Sequence, residues 1–223
     1  MTALYIIVTV AVYGLSRRAA LRFPSPFTTP VFTSTALIIG LLLVSDVSYE
    51  EYTPAKDIMT FLLGPATVAL ALPLYRNRSV LLERLFPAAV GLIAGTLSTI
   101  VSSVWLASAF GLSETIQAAA AVKAVTTPVA MEAAVIIGGD PALAAAFVIT
   151  AGIFGAVFGP ALLTAFRIKD PFSRGLGIGT VSHGIGTSQA ALEGPVQGAV
   201  SSAAMGFASI VTSLVLPWLF PFL

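Results

Sequence analysis

Thr180-Val181-Ser182-His183-Gly184-Ile185-Gly186-Thr187 places the only histidine of the chain in a run of glycines and hydroxyls. The segments around it are otherwise continuously apolar. In lipid, backbone that leaves the regular helix must be satisfied by protein or face a watery cavity, at several kcal/mol per unsatisfied group. Such a run makes a poor packed helix and marks a binding site in a membrane-embedded chain.

Working outward, 57% of the 223 residues are hydrophobic and 9% are charged, against roughly 25% charged in an average soluble domain. The chain reads as an integral membrane protein. The apolar runs are unbroken rather than alternating, and their lengths suit helical spans rather than barrel strands. The fold class is therefore all-α and polytopic. There is no cysteine, so disulfides, thiol catalysis and thiolate metal sites are excluded, and one histidine provides no metal cluster of ordinary spacing. No cofactor is expected. A net charge of +1 carries no nucleic-acid signal. The first fifteen residues lack a basic n-region and a convincing cleavage site, so they read as a span rather than a signal peptide.

Apolar segments lie at 3–16, 30–45, 57–75, 85–111, 114–139, 142–166, 175–193 and 197–222. Three basic clusters separate them: Arg17, Arg18 and Arg22; Arg76, Arg78 and Arg84; and Arg167, Lys169 and Arg174. Acidic connections lie between, with Asp46, Glu50, Glu51 and Asp57, then Glu114, then Asp140. Basic loops stay cytoplasmic, so 85–111 runs outward and 142–166 inward. Segment 114–139 then begins and ends outside, as a hairpin broken at Thr126-Thr127-Pro128, where proline disfavours helix at the residue before it. Segment 175–193 reads as a second hairpin that begins and ends inside. The alternative is that it crosses fully and leaves the C-terminus inside.

The hairpin reading gives about six full spans, two broken hairpins, and both termini outside. It divides the chain into scaffold spans (1–84), a first unit of span plus hairpin (85–139), a second such unit (140–196) and a final span (197–223). A shift of 60 residues aligns Gly95 with Gly155, Ser113 with Ser173, Lys123 with His183, Thr127 with Thr187 and Ala130 with Ala190. The two units would enter the membrane in opposite directions, the inverted-repeat plan of many secondary transporters.

Lys123 lies several turns from either end of an apolar run, where a charge is expensive and usually functional. Its bland reading is a stem that snorkels or an ion pair with Glu132. Its sharper reading is a cation offered to a carboxylate, worth up to ~4 kcal/mol at 4 Å and an effective dielectric near 20. Thr126, Thr127 and the half-helix N-terminus after Pro128 complete an anion seat, although membrane threonines often bond back to their own backbone. Glu132 is a candidate for neutralising Lys123, relaying a proton or binding a cation. His183, the shifted partner of Lys123, is flanked by Ser182, Gly184, Gly186 and Thr187, and its reference pKa of ~6.5 suits proton coupling. Gly155-Ala156-Val157-Phe158-Gly159 offers a small-residue surface for close helix packing. Gly175, Gly177 and Gly179 match no nucleotide loop. With one histidine and few carboxylates, no hydrolase triad or paired-acid site is available, so an enzyme is not expected.

Four blocks resemble the LrgB/CidB family: Leu62 through Tyr75, Lys123 through Met131, Gly155 through Gly159, and Arg174-Gly175 through Ser182-His183-Gly184-Ile185-Gly186-Thr187. The resemblance covers nearly the whole chain. Ala124 stands where serine often follows the lysine, and Gln189 lies in a variable tail. The resemblance implies one of two functions. One is an antiholin-like regulator of murein hydrolase export that acts with a small LrgA/CidA-type membrane partner. The other is a carrier of small monocarboxylates such as glycolate, glycerate, lactate or pyruvate. The opposed units and their polar breaks favour the carrier, in the plasma membrane, with a proton or sodium co-ion and a homodimeric scaffold as further expectations; a channel, which would pass solute downhill without saturation or counterflow, is the remaining alternative.

Overall fold

The computed structural model describes residues 1–23, 28–62, 65 and 71–223. They are helices joined by short turns, with no strand among the described residues. The chain divides into two compact units, Met1–Leu70 and Ala71–Leu223.

The first unit holds α1 (Thr2–Arg22), α2 (Pro30–Val44) and α3 (Tyr49–Phe61). The Thr9 hydroxyl lies 2.9 Å from that of Tyr52, and the Tyr5 and Tyr52 rings stand 6.0 Å apart, so α3 is pinned to α1. The acidic stretch expected to be a connection is helical from Tyr49 onward. Ser48 Oγ accepts from the Glu51 N–H at 3.2 Å, and Glu50 and Glu51 occupy the first turn, where carboxylates favour the positive end of the helix. The expected span 57–75 and the Leu62–Tyr75 block include residues 63–64 and 66–70, which lie outside the described residues.

The second unit opens with two short helices, α4 (Ala71–Arg76) and α5 (Arg78–Glu83). The long helix α6 (Leu85–Ala109) follows, then α7 (Glu114–Ala121), α8 (Thr127–Ile136) and a second long helix, α9 (Pro141–Ala165). After these come α10 (Pro171–Glu193), α11 (Pro195–Leu219) and a closing 3-10 turn at Phe220–Phe222. Among the described residues, Thr2–Arg22, Leu85–Ala109, Pro141–Ala165 and Pro195–Phe222 have the length and composition to cross a membrane. The 25 residues of α6 and of α9 reach about 37 Å, more than a bilayer core of ~30 Å. Their exposed faces carry Trp105 and Phe154, and α11 exposes Phe207 and Trp218, as a lipid-facing surface requires.

Pro, Asp and Gly punctuate these elements. Asp140 caps α9 by accepting from the Leu143 N–H at 2.7 Å. Asp170 caps α10 by accepting from the Ser173 N–H at 2.9 Å. Each cap is followed by proline in the first turn, where the missing N–H costs nothing. The closest packing joins α10 to α11: a Cβ on Gly179 would overlap the backbone of Ser201. Only glycine lets these two helices touch there.

Candidate functional site

Both expected hairpins are visible in the path of the chain. A straight helix from Arg174 to Glu193 would separate these residues by about 28 Å. Instead, Arg174 Nε and Nη2 donate to the two carboxylate oxygens of Glu193, each at 2.8 Å. The same guanidinium donates to the Pro160 and Ile168 carbonyls and to the Thr164 hydroxyl. The two ends of α10 therefore lie side by side, and the reading in which it crosses as a single span is corrected. The fold-back occurs at His183, whose φ of 39° and ψ of −138° break the helix. Positive φ in a non-glycine residue is a strained conformation of order 1–3 kcal/mol and collects at functional sites.

Three contacts hold this tip. His183 Nε2 lies 2.8 Å from the Val148 carbonyl, which can only accept, so Nε2 carries a proton and donates. The ring reaches that carbonyl because Gly152, one turn further along α9, leaves a notch: a Cβ there would come within 2.6 Å of the imidazole. Thr187 Oγ1 donates to the His183 carbonyl at 2.8 Å and pairs with Ser201 Oγ at 2.8 Å. Ser182, 2% exposed, presses against Gly155, while Gly159 faces Ile178. The small-residue surface of α9 thus receives the first half of α10. Among the described residues the Ser182 hydroxyl makes no hydrogen bond. Gly184 and Gly186 begin the returning half, and Gly186 folds back against Ile178 and Ser182.

The first hairpin is built from α7 and α8. Gly139 returns against Ala118 and Ala119, so this segment also begins and ends on one side. Its turn carries Val122 and Val125 into an apolar cluster with Ile100, Val104, Val148 and Leu216. With its neighbours anchored there, Lys123 reaches α6 and donates from Nζ to the Thr99 carbonyl at 2.9 Å. Ser103 Oγ donates to the same carbonyl at 2.7 Å. No carboxylate lies in ion-pair range of Lys123 among the described residues. Thr126 is the N-cap of α8, in extended backbone, and its side chain makes no cap bond. Thr127 and Pro128 form the first turn, so α8 presents unsatisfied N–H groups beside the lysine turn. Glu132 is exposed and makes no ion pair there.

The two tips converge. Lys123 touches α6 at Thr99, while Thr180 of α10 packs on Gly95 at 3.1 Å. Both contacts fall at the middle of α6. On α9, the Val148 side chain joins the cluster with Val122 and Val125, and its carbonyl meets His183. Each hairpin follows a long helix in the chain, the first after α6 and the second after α9. Residues that the motif reading missed are Thr96, Thr99, Val148, Gly152 and Ser201. The signal for the first two was the hydroxyl-rich run Thr96-Leu97-Ser98-Thr99 with Ser102-Ser103 inside an apolar helix.

An apolar cavity of about 630 Å³ lies elsewhere, lined by Tyr75, Arg78, Leu176 and Phe207 among others, and holds none of these tip residues. No group of three potential metal ligands occurs among the described residues.

This architecture, long helices interleaved with broken helical hairpins, defines an all-α integral membrane protein. The chain belongs to the LrgB-like family, whose model matches residues 9–222. It is 38% identical over 219 residues to the uncharacterized protein YwbG of Bacillus subtilis (strain 168), covering 96% of each chain. It is 36% identical over 218 residues to the uncharacterized protein YxaC of the same strain, covering 96% of this chain and 95% of the relative. A third relative, antiholin-like protein LrgB of Bacillus cereus (strain B4264), is 30% identical over 219 residues, covering 98% and 95%. No solved structure matches.

Proposed function

We propose that this protein is a secondary carrier of small monocarboxylates in the plasma membrane. The observation that supports this most is Lys123: an ammonium group within the hairpin core, bonded to a neutral carbonyl and lacking a carboxylate. A cation in that position is costly without a counter-ion, and a transported anion supplies one. The free hydroxyls of Thr126 and Thr127 and the N–H groups opening α8 would share the carboxylate, with Ser182 and His183 approaching from the other tip. Gly184, Gly186 and Thr187 would shape that tip rather than read the substrate.

Two hairpins meeting halfway along two long helices suit alternating access, in which the hairpin unit moves against a scaffold formed by the first spans. The inverted repeat, a homodimeric scaffold and termini outside the membrane belong to the same proposal. Coupling to a proton through His183 or Glu132, or to sodium, is part of it. Uptake indifferent to both gradients and to His183→Gln and Glu132→Gln would end that part.

The antiholin-like name of one group of relatives favours a second reading, an antiholin-like regulator that works by contact with a small membrane partner. The two readings separate in proteoliposomes containing this chain alone. Saturable uptake of labelled glycolate or pyruvate, lost in Lys123→Ala without dye leakage, is the carrier result. A well-folded wild type with no uptake, together with a cellular phenotype that survives Lys123→Ala, is the regulator result.

A further inference from the structure

Thr96 sits in the middle of α6, 1% exposed, and its hydroxyl has no hydrogen-bond partner. Four other threonines in the helices of this unit turn the hydroxyl back onto their own backbone: Thr99 to the Thr96 carbonyl, Thr150 to Ala146, Thr164 to Pro160 and Thr180 to Leu176. That is the usual fate of a hydroxyl in an apolar helix. A buried polar atom that escapes it calls for an explanation.

Its neighbours supply one. One turn along α6, the Thr99 carbonyl holds Lys123; one residue back, Gly95 receives Thr180 from the second hairpin. Thr96 therefore stands between the landing points of the two tips. A hydroxyl both donates and accepts, so it can pair with a carbonyl oxygen or a hydroxyl on the carbon next to a carboxylate. A buried hydroxyl left unpaired by an analogue lacking that oxygen discriminates against the analogue.

We infer that Thr96 contacts substrate and selects monocarboxylates that carry an oxygen on carbon 2, an assignment that rests on the carrier reading above. With the carboxylate at Lys123, the 2-hydroxyl or 2-oxo oxygen pairs with Thr96.

The test compares lactate, pyruvate and propionate in proteoliposomes with wild type, Thr96→Val and Thr96→Ser, each checked for monodispersity in detergent and for dye leakage. Wild type should favour lactate and pyruvate over propionate. Thr96→Val, which keeps the shape and removes the hydroxyl, should raise KM for the two oxygenated acids about tenfold and leave propionate unchanged. Thr96→Ser should restore most of the preference. Equal changes for all three substrates in Thr96→Val would make the residue structural and overturn the assignment, as would no change at all. Wild type that transports none of the three overturns the carrier reading and this assignment with it. Wild type that transports them while Thr96→Val keeps its preference overturns the assignment alone.

Discussion

The lysine turn and the histidine kink occupy matching places in successive hairpins, yet they are held in opposite ways. His183 is locked: its ring is seated in the Gly152 notch and bonded to Val148, and its carbonyl is held by Thr187, which is tied in turn to Ser201. Lys123 is held by one carbonyl, and Thr126 beside it leaves its side chain uncommitted. On the carrier reading, the histidine tip is the more firmly held of the two and the lysine tip keeps more donors for a substrate, a division of labour that the sequence symmetry alone would not suggest.

The most severe way to break this division is at the packing surface of the second hairpin. Gly155→Leu has no room beside Ser182 and should destabilise the protein by about 3 kcal/mol or more, or prevent its folding, whereas Gly159→Ala, with its nearest neighbour 3.8 Å away, should melt close to wild type. Next comes the foot of that hairpin, whose Arg174 and Glu193 side chains are 12% and 17% exposed. Arg174→Ala strands the carboxylate and should cost about 3 kcal/mol, read as a lower melting temperature in detergent.

The tips themselves give a smaller and more diagnostic contrast. Lys123→Ala should leave thermal stability unchanged or raised, because it removes a half-buried charge that nothing neutralises, and on the carrier reading uptake should fall at least about 100-fold. His183→Ala should lose stability by about 2 kcal/mol, since the Val148 contact goes and the positive φ stays. His183→Gly should recover about 1 kcal/mol of that, because glycine adopts positive φ freely. If both lysine and histidine variants behaved alike, the assigned division would be wrong.

The smallest effect should come from the exposed pair at the start of α10. Arg84 Nη1 lies 3.1 Å from Asp170, with both side chains substantially exposed. The Ser173 backbone and hydroxyl bonds, and then Arg84, hold the Asp170 carboxyl below its ordinary range. A depressed carboxylate contributes stability above its unfolded pKa of ~3.9 and loses it as pH falls through the folded value. Melting of wild type against Asp170→Asn should therefore differ by less than about 1 kcal/mol at neutral pH and converge below about pH 4.

How much of this could be read from residues alone varied with the range of the interaction. The break before Pro128 was legible because proline acts on its own neighbour, and the His183 break because glycines and hydroxyls weaken helix locally. The acidic stretch after Asp46 was misread because charge was weighed and the Ser48 cap was not. The Arg174–Glu193 pair was invisible, since residues 19 positions apart meet only after the chain has doubled back. Val148 and Gly152 were likewise hidden, as an apolar residue offers its carbonyl to a distant ring only when a missing Cβ clears the way. Thr96 and Thr99 were overlooked because a threonine in an apolar helix ordinarily keeps its hydroxyl to itself.

The closed foot of α10 also bears on how the protein is made. At 23 residues the segment is long enough to cross, but it is not among the helices apolar enough to do so. On the proposed topology the segment would wait at the cytoplasmic face until α11 is made, and Arg174 would then pair with Glu193 across its foot. Nascent chains that end before Pro195 should, on that topology, leave residues 171–193 open to protease.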